Sequence, residues 1–118
     1  NRLAAGCDDH GFPWERCGDV DYATKYPYVC HAELNGILNA GGRDLVGCML
    51  YVVLFPCSEC AKAIIQSGIK EVVYLSDKYA DSISVRASKR MLNAAGVKLT
   101  KLTPKVSELR ISFSEDEI

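Results

Sequence analysis

Long apolar runs are missing from this chain. None approaches the roughly 20 residues needed to span a bilayer, so no transmembrane helix and no membrane partner are expected. An excess of charge is missing too: 14 Lys and Arg stand against 15 Asp and Glu, for a formal net charge of −1. Nucleic acid binding usually leaves a clear basic excess, so no nucleic acid partner is expected. Internal repeats and low-complexity segments are also absent, which excludes a solenoid or a disordered array.

What is present suits one globular domain over residues 1–118, with 48% hydrophobic and 25% charged residues. Six cysteines in this length could suggest a secreted disulfide framework. However, Cys57 and Cys60 have metal-binding spacing, and Cys30 and Cys48 lie in apolar stretches that read as core. A reducing, cytoplasmic compartment is therefore expected.

Residues 1–29 are punctuated by Gly6, Gly11, Pro13, Gly18 and Pro27 and read as irregular, with short helical pieces at most. Leu34, Ile37 and Leu38 recur at helical spacing within 32–40, and Gly41-Gly42 stops the run. Cys48 to Leu54 is a strand, apolar on both alternating faces, as a central strand covered on two sides would be. Pro56 suits the first turn of a second helix with Ala61, Ile64 and Ile65 inward and Gly68 as its stop. Glu71 to Leu75 is a short strand. A third helix follows over 82–95, with Val85, Ala87 or Ser88, Met91, Leu92 and Ala95 inward. Strands are expected at Val97–Leu102 and Leu109–Phe113, and the acidic tail 114–117 is expected to fray. The order is that of a layered α/β domain. The third helix is long enough for a crossover, which makes its flanking strands parallel.

The chemistry concentrates in His31-Ala32-Glu33 and Pro56-Cys57-Ser58-Glu59-Cys60. One imidazole and two thiols suit zinc and leave the fourth tetrahedral position open for water. Cys57 and Cys60 are three apart at a helix start, where they share a face and the helix dipole favours thiolate. Two thiolates offset the charge of Zn²⁺ and weaken it as an acid, so a nearby base would help. Glu33 is placed to be that base and proton shuttle rather than a ligand. A C-x-x-C pair alone is often a structural knuckle or redox pair, and H-x-E alone carries almost no signal. Together, with an apolar strand ahead of Pro56, they point to a catalytic zinc site. Cys7, His10 and Cys17 could form a second metal site, but the spacing is not a standard one and they read as scattered loop residues.

The pattern H-x-E…P-C-x-x-C is the signature of the zinc deaminases. Beyond it, Lys25-Tyr26-Pro27-Tyr28-Val29-Cys30-His31-Ala32-Glu33-Leu34-Asn35, Leu54–Lys62 and Ile69–Tyr79 closely resemble the deoxycytidylate (dCMP) deaminases. Gly6-Cys7-Asp8-Asp9 and Pro13-Trp14 resemble that family's loop ahead of the active site, and the resemblance runs from Gly6 to Lys105. It implies a cytidine deaminase-like three-layer α/β/α fold with a mixed sheet. It implies a hydrolase of a cyclic amidine C–N bond that converts dCMP to dUMP and ammonia and so supplies thymidylate synthesis. It carries over His31, Cys57 and Cys60 as Zn²⁺ ligands and Glu33 as the catalytic proton shuttle. Asn1, Ala32 and Tyr79 become substrate contacts: Asn1 at the sugar hydroxyl, Ala32 at the base edge, Tyr79 closing over the substrate. The resemblance also implies a homo-oligomer, a hexamer in that family, with dCTP and dTTP as effectors.

Two departures stand out. Members of that family have a helix and two antiparallel strands ahead of the position of Asn1, so the domain is expected to be N-terminally incomplete. Arg2-Leu3-Ala4 replaces a Gly-x-Pro near that family's effector site. The rival functions are a tRNA or DNA deaminase, a free-nucleoside deaminase, and a non-catalytic zinc-stabilised module of the same fold. Arg16, Lys25, Arg43 and Lys78 are the cations from which a phosphate contact could come.

Overall fold

The structure, a computed structural model, describes residues 1–117. Its centre is a three-stranded sheet in the order β3 (Met49–Leu54), β4 (Glu71–Ser76), β5 (Lys98–Lys101). Both pairings are parallel, with Leu50 beside Val72 and Val72 beside Leu99. Parallel neighbours need crossovers, supplied by α2 (Ser58–Gln66) and α3 (Ile83–Ala94). Antiparallel pairing is confined to a separate two-stranded ribbon of β1 (Arg2–Leu3) and β2 (Val29–Cys30). The ribbon has no counterpart in the pattern of the first 29 residues. Its strands are two residues each, too short to show periodicity. The rest of that stretch is irregular apart from a 3-10 turn at Asp21–Ala23. Helix α1 (Ala32–Leu38) follows β2 directly.

The core lies between the helices and one face of the sheet. Ala61 and Ile64 of α2 and Val85 and Leu92 of α3 are buried with Phe55, Ile69, Val72 and Val97. Leu50, Val52, Tyr74 and Leu99 pack against them from the sheet, and Ile37 from α1. Side chains alternate along a strand, so these positions define one helix-covered face. Full burial of side chains such as Ile64 and Leu92 contributes about 1.5–3 kcal/mol each.

Five expectations need correction. β3 is covered on one face only: Tyr51 and Val53 on the other are 67% and 68% exposed. Among the described residues all three helices share the opposite face, and β3 is an edge strand. Leu109–Phe113 is not a strand. Its alternation is strand-like, but no edge pairs with it among the described residues, and Leu109, Ile111 and Phe113 stay exposed. Cys48 is exposed rather than core, because it lies in the turn before β3. Leu38 and Ala95 sit at the C-terminal ends of their helices, where the chain turns away, and are exposed. Pro56 is not inside the first turn of α2, because Cys57 takes the N-cap and Pro56 stands just before it. The tail forms a 3-10 turn at Glu115–Glu117.

Candidate metal centre

Three side chains from distant parts of the sequence meet where α1 and α2 begin. His31 is the N-cap of α1, with extended backbone (φ −62°, ψ 150°) and no capping hydrogen bond from its side chain. Its imidazole is thus free to turn toward α2. Cys57 is the N-cap of α2, and its sulfur accepts the Cys60 backbone N–H at 3.5 Å. This is the usual N-cap arrangement with sulfur replacing oxygen. It sets Cys57 and Cys60 on one face. Ser84 at the start of α3 satisfies another free amide of α2: Ser58 N–H donates to Ser84 Oγ at 2.9 Å, and the two hydroxyls lie 3.2 Å apart. No sequence pattern signals that pair, which spans 26 residues.

The distances test the fit to zinc. His31 Nδ1 lies 3.4 Å from Cys57 Sγ and 3.6 Å from Cys60 Sγ. A tetrahedral Zn²⁺ with its ordinary Zn–S and Zn–N bond lengths holds sulfur and nitrogen ~3.6 Å apart. All three donor atoms lie within 4.8 Å of one another, the only such metal-binding group among the described residues. The donor set and spacing fit Zn²⁺. Cys7, His10 and Cys17 do not converge.

Adjacent thiols compete for one negative charge. The hydrogen bond from the Cys60 thiol, helped by the Cys60 amide and by His31, pulls the Cys57 thiol down to about 5, against the opposing effect of burial. Cys60 moves the other way: its hydrogen bond to Cys57, burial and the Glu33 charge push it up. Of the two, Cys57 is the thiol that takes the negative charge more readily. A divalent cation between them would stabilise both thiolates.

The turn leading into Cys57 is held from three sides. Phe55 N–H donates to the Ser76 carbonyl at 2.9 Å, and its ring meets Tyr74 edge-on at 4.9 Å. Lys89 Nζ lies 5.2 Å from the centre of the Phe55 ring and 3.3 Å from Asp77. The metal-binding turn therefore follows directly from the C-terminal end of β3, where ligands of open α/β sheets gather.

A cavity of about 490 Å³ opens beside the centre. Its lining includes His31, Glu33 and Cys57, with Asn1 and Tyr79 on the wall. A second cavity of about 380 Å³ is lined by Asn1, Ala32, Glu33 and β3. Glu33 and Asn1 thus reach both. Arg16, Lys25, Tyr26, Ser82 and Ser84 also line the larger cavity. Of these, Tyr26, Ser82 and Ser84 have no place among the site residues expected from sequence.

Residues 16–76 match the cytidine and deoxycytidylate deaminase zinc-binding region, a span that holds all three donors and Glu33. The chain is 52% identical over 113 residues to human deoxycytidylate deaminase, covering 96% of itself and 64% of that protein. It is 48% identical over 118 residues to the probable deoxycytidylate deaminase of Drosophila melanogaster, covering 58% of that protein. It therefore spans somewhat less than two thirds of either relative. A solved dCMP deaminase from the cyanophage S-TIM5, in complex with dCMP and dUMP, superposes with a TM-score of 0.58 at 27% identity. That match covers 71% of this chain and 60% of the other. With the zinc-binding region matched over more than half its length and the donors converging as that region requires, this chain belongs to the cytidine and deoxycytidylate deaminase family.

Proposed function

We propose that the protein deaminates dCMP hydrolytically to dUMP and ammonia, with His31, Cys57 and Cys60 holding Zn²⁺ and Glu33 moving the protons. The observation that carries this is the placement of Glu33. It lines the same cavity as His31 and Cys57 without joining the group of donor atoms. When bound, Zn²⁺ supplies Lewis acidity that makes water a nucleophile near neutral pH. Glu33 accepts the proton lost by water as oxygen bonds to C4 of cytosine, and delivers it to ring N3. It then carries the remaining hydroxyl proton to the amino group, the C4–N bond breaks and ammonia leaves. The product keeps a proton on N3 and a carbonyl at C4, so atoms and charge balance. Asn1 and Tyr79 line the cavity and serve as contacts for sugar and base. Ala32 lines the adjoining cavity, close to the base edge.

Identity to curated deoxycytidylate deaminases supports dCMP as the substrate. The finer parts of the proposal, a cytoplasmic homo-oligomer, regulation by dCTP and dTTP, and supply of dUMP for thymidylate synthesis, rest on the family resemblance of the sequence alone. The test is conversion of dCMP by the zinc-loaded full chain, followed as dUMP and ammonia formed in equal amounts. Chelation should abolish it and added Zn²⁺ restore it. Absence of dUMP, or competition by a short cytosine-bearing single strand as strong as that by dCMP, would refute the assignment.

A further inference from the structure

We infer that Ser84 is a positioning residue of the metal centre: its hydroxyl fixes the start of α2 and with it the direction in which Cys57 points. The inference rests on the zinc-binding part of the function proposed above and is independent of the substrate.

Of the two thiols, Cys57 is the one outside its helix. Cys60 lies within α2, so the helix ladder places it, whereas Cys57 is the N-cap. Its direction depends on how the peptides on either side of it lie. The peptide joining Cys57 to Ser58 is bonded at both ends. Its carbonyl accepts the Ala61 N–H at 2.9 Å, and its N–H donates to Ser84 Oγ at 2.9 Å. Helix α2 supplies the first of these bonds itself, and the second comes from α3. On the other side, Phe55 N–H is bonded to the Ser76 carbonyl, and the ring of buried Pro56 fixes its own φ. Ser84 therefore restrains the rotation beside Cys57 that these contacts leave free.

Ser84 is itself anchored. It is the second residue of α3, whose N-cap Ser82 accepts the Val85 N–H at 3.2 Å. Val85 is buried in the core, and Lys89 on the same helix lies over the Phe55 ring. Helix α3 thus braces the metal-binding turn on both sides of Cys57, at Phe55 and at Ser58. Joining the two helices does not require this bond, because Ala61 and Ile64 of α2 share one core cluster with Val85 and Leu92 of α3. The bond falls on the residue next to a donor, and Ser84 lines the same cavity as His31, Glu33 and Cys57. Metal–donor distances hold within about 0.2 Å, so a small drift of Cys57 weakens the centre.

The experiment measures zinc affinity of the full chain by chelator competition, and the visible absorption of its Co²⁺ form, which reports thiolate donors and their geometry. The variants are S84A, S84T, S58P and the double variant S84A/S58P. S58P removes the donor of the bond where S84A removes the acceptor. Proline is tolerated at the first helical position, and Cys57 (φ −71°, ψ 171°) already has the backbone of a residue before proline. S84A and S58P should each weaken zinc binding roughly ten-fold, the lower end of the cost of losing a partner behind the ligands. Both should change the Co²⁺ absorption in the same way. The double variant should bind no more weakly than either single one, because both remove the same bond. S84T keeps the acceptor and should bind as the parent does. G68A, at the far end of α2, should lower stability without weakening zinc binding. The inference is overturned if S84A and S58P stay within about two-fold of the parent with unchanged absorption, or if their effects multiply in the double variant. It is also overturned if G68A weakens zinc binding as much as S84A does. Should S84A not fold, S58P alone decides by the same limits. Parental zinc binding by these variants leaves the proposed function standing, whereas a parent that binds no zinc removes both.

Discussion

Replacing Ser88 by alanine should stabilise the protein. Ser88 lies on the inward stripe of α3, three residues after Val85 and four before Leu92, and is fully buried. Its hydroxyl is the one buried side-chain polar group without a hydrogen-bond partner among the described residues. A buried, unpaired hydroxyl costs about 1–3 kcal/mol in lost hydration. Alanine removes that cost and leaves only the space of one oxygen atom. It also favours the helix over serine by up to about 0.5 kcal/mol. The sum is about 1–3.5 kcal/mol, and at about 4 °C per kcal/mol for a chain of this size Tm should rise by about 4–14 °C. Urea unfolding followed by circular dichroism should show a higher midpoint with an unchanged m-value, since the surface exposed on unfolding is the same. Zinc content should also be unchanged, because the hydroxyl that ties α3 to α2 is Ser84. A lower midpoint for Ser88→Ala would refute the reasoning and mean that the hydroxyl has a partner in solution.

Gly68 follows α2 in a left-handed conformation (φ +81°), and a Cβ there would meet Val46 Cγ2 at 2.8 Å and Val46 Cα at 3.1 Å. Gly68→Ala should therefore cost about 2–3 kcal/mol of backbone strain and displacement, measured by urea unfolding; a loss below about 0.5 kcal/mol would contradict it. Cys60 is 2% exposed and its sulfur is one of the three donors. Cys60→Ala should leave protein that binds no zinc after dialysis, by elemental analysis, and retention of stoichiometric zinc would show that Cys60 is not a ligand. The Lys89 hydrogen bond, with Lys101 nearby, holds the Asp77 carboxyl below its ordinary value. A depressed acid contributes stability above its unfolded value, and that contribution is lost as pH falls through the folded value. Stability of the parent should thus fall more steeply below about pH 4 than that of Lys89→Met, and parallel acid unfolding curves would refute the coupling.

The site was legible because most of its information is local. Cys57 and Cys60 share a face by helical spacing, and a strand–Pro–Cys order puts both at the end of a sheet strand. The same holds for α2, α3, β4 and β5, whose apolar patterns and glycine stops lie within each segment. Long-range features were not legible. Alternation in Leu109–Phe113 names a face but cannot show whether another strand edge is there to pair with. The run in β3 could not show that Tyr51 and Val53 face outward, since that depends on which elements cover the sheet. Lys25 and Arg16 reach the cavity through a loop held by stacking on Trp14 and by a hydrogen bond to Glu15, contacts with no periodicity. The residues matching a known family were the stronger guide there, and they could not rank the cations.

The most direct test of the account is Glu33→Gln. Glu33 lines the cavity beside the metal centre but is not one of its donors. The account predicts that the variant binds zinc as the parent does and loses dCMP turnover by roughly 10²–10⁴-fold, the contribution of a positioned acid–base group. A variant that keeps near-parental turnover, or loses its zinc, would contradict it.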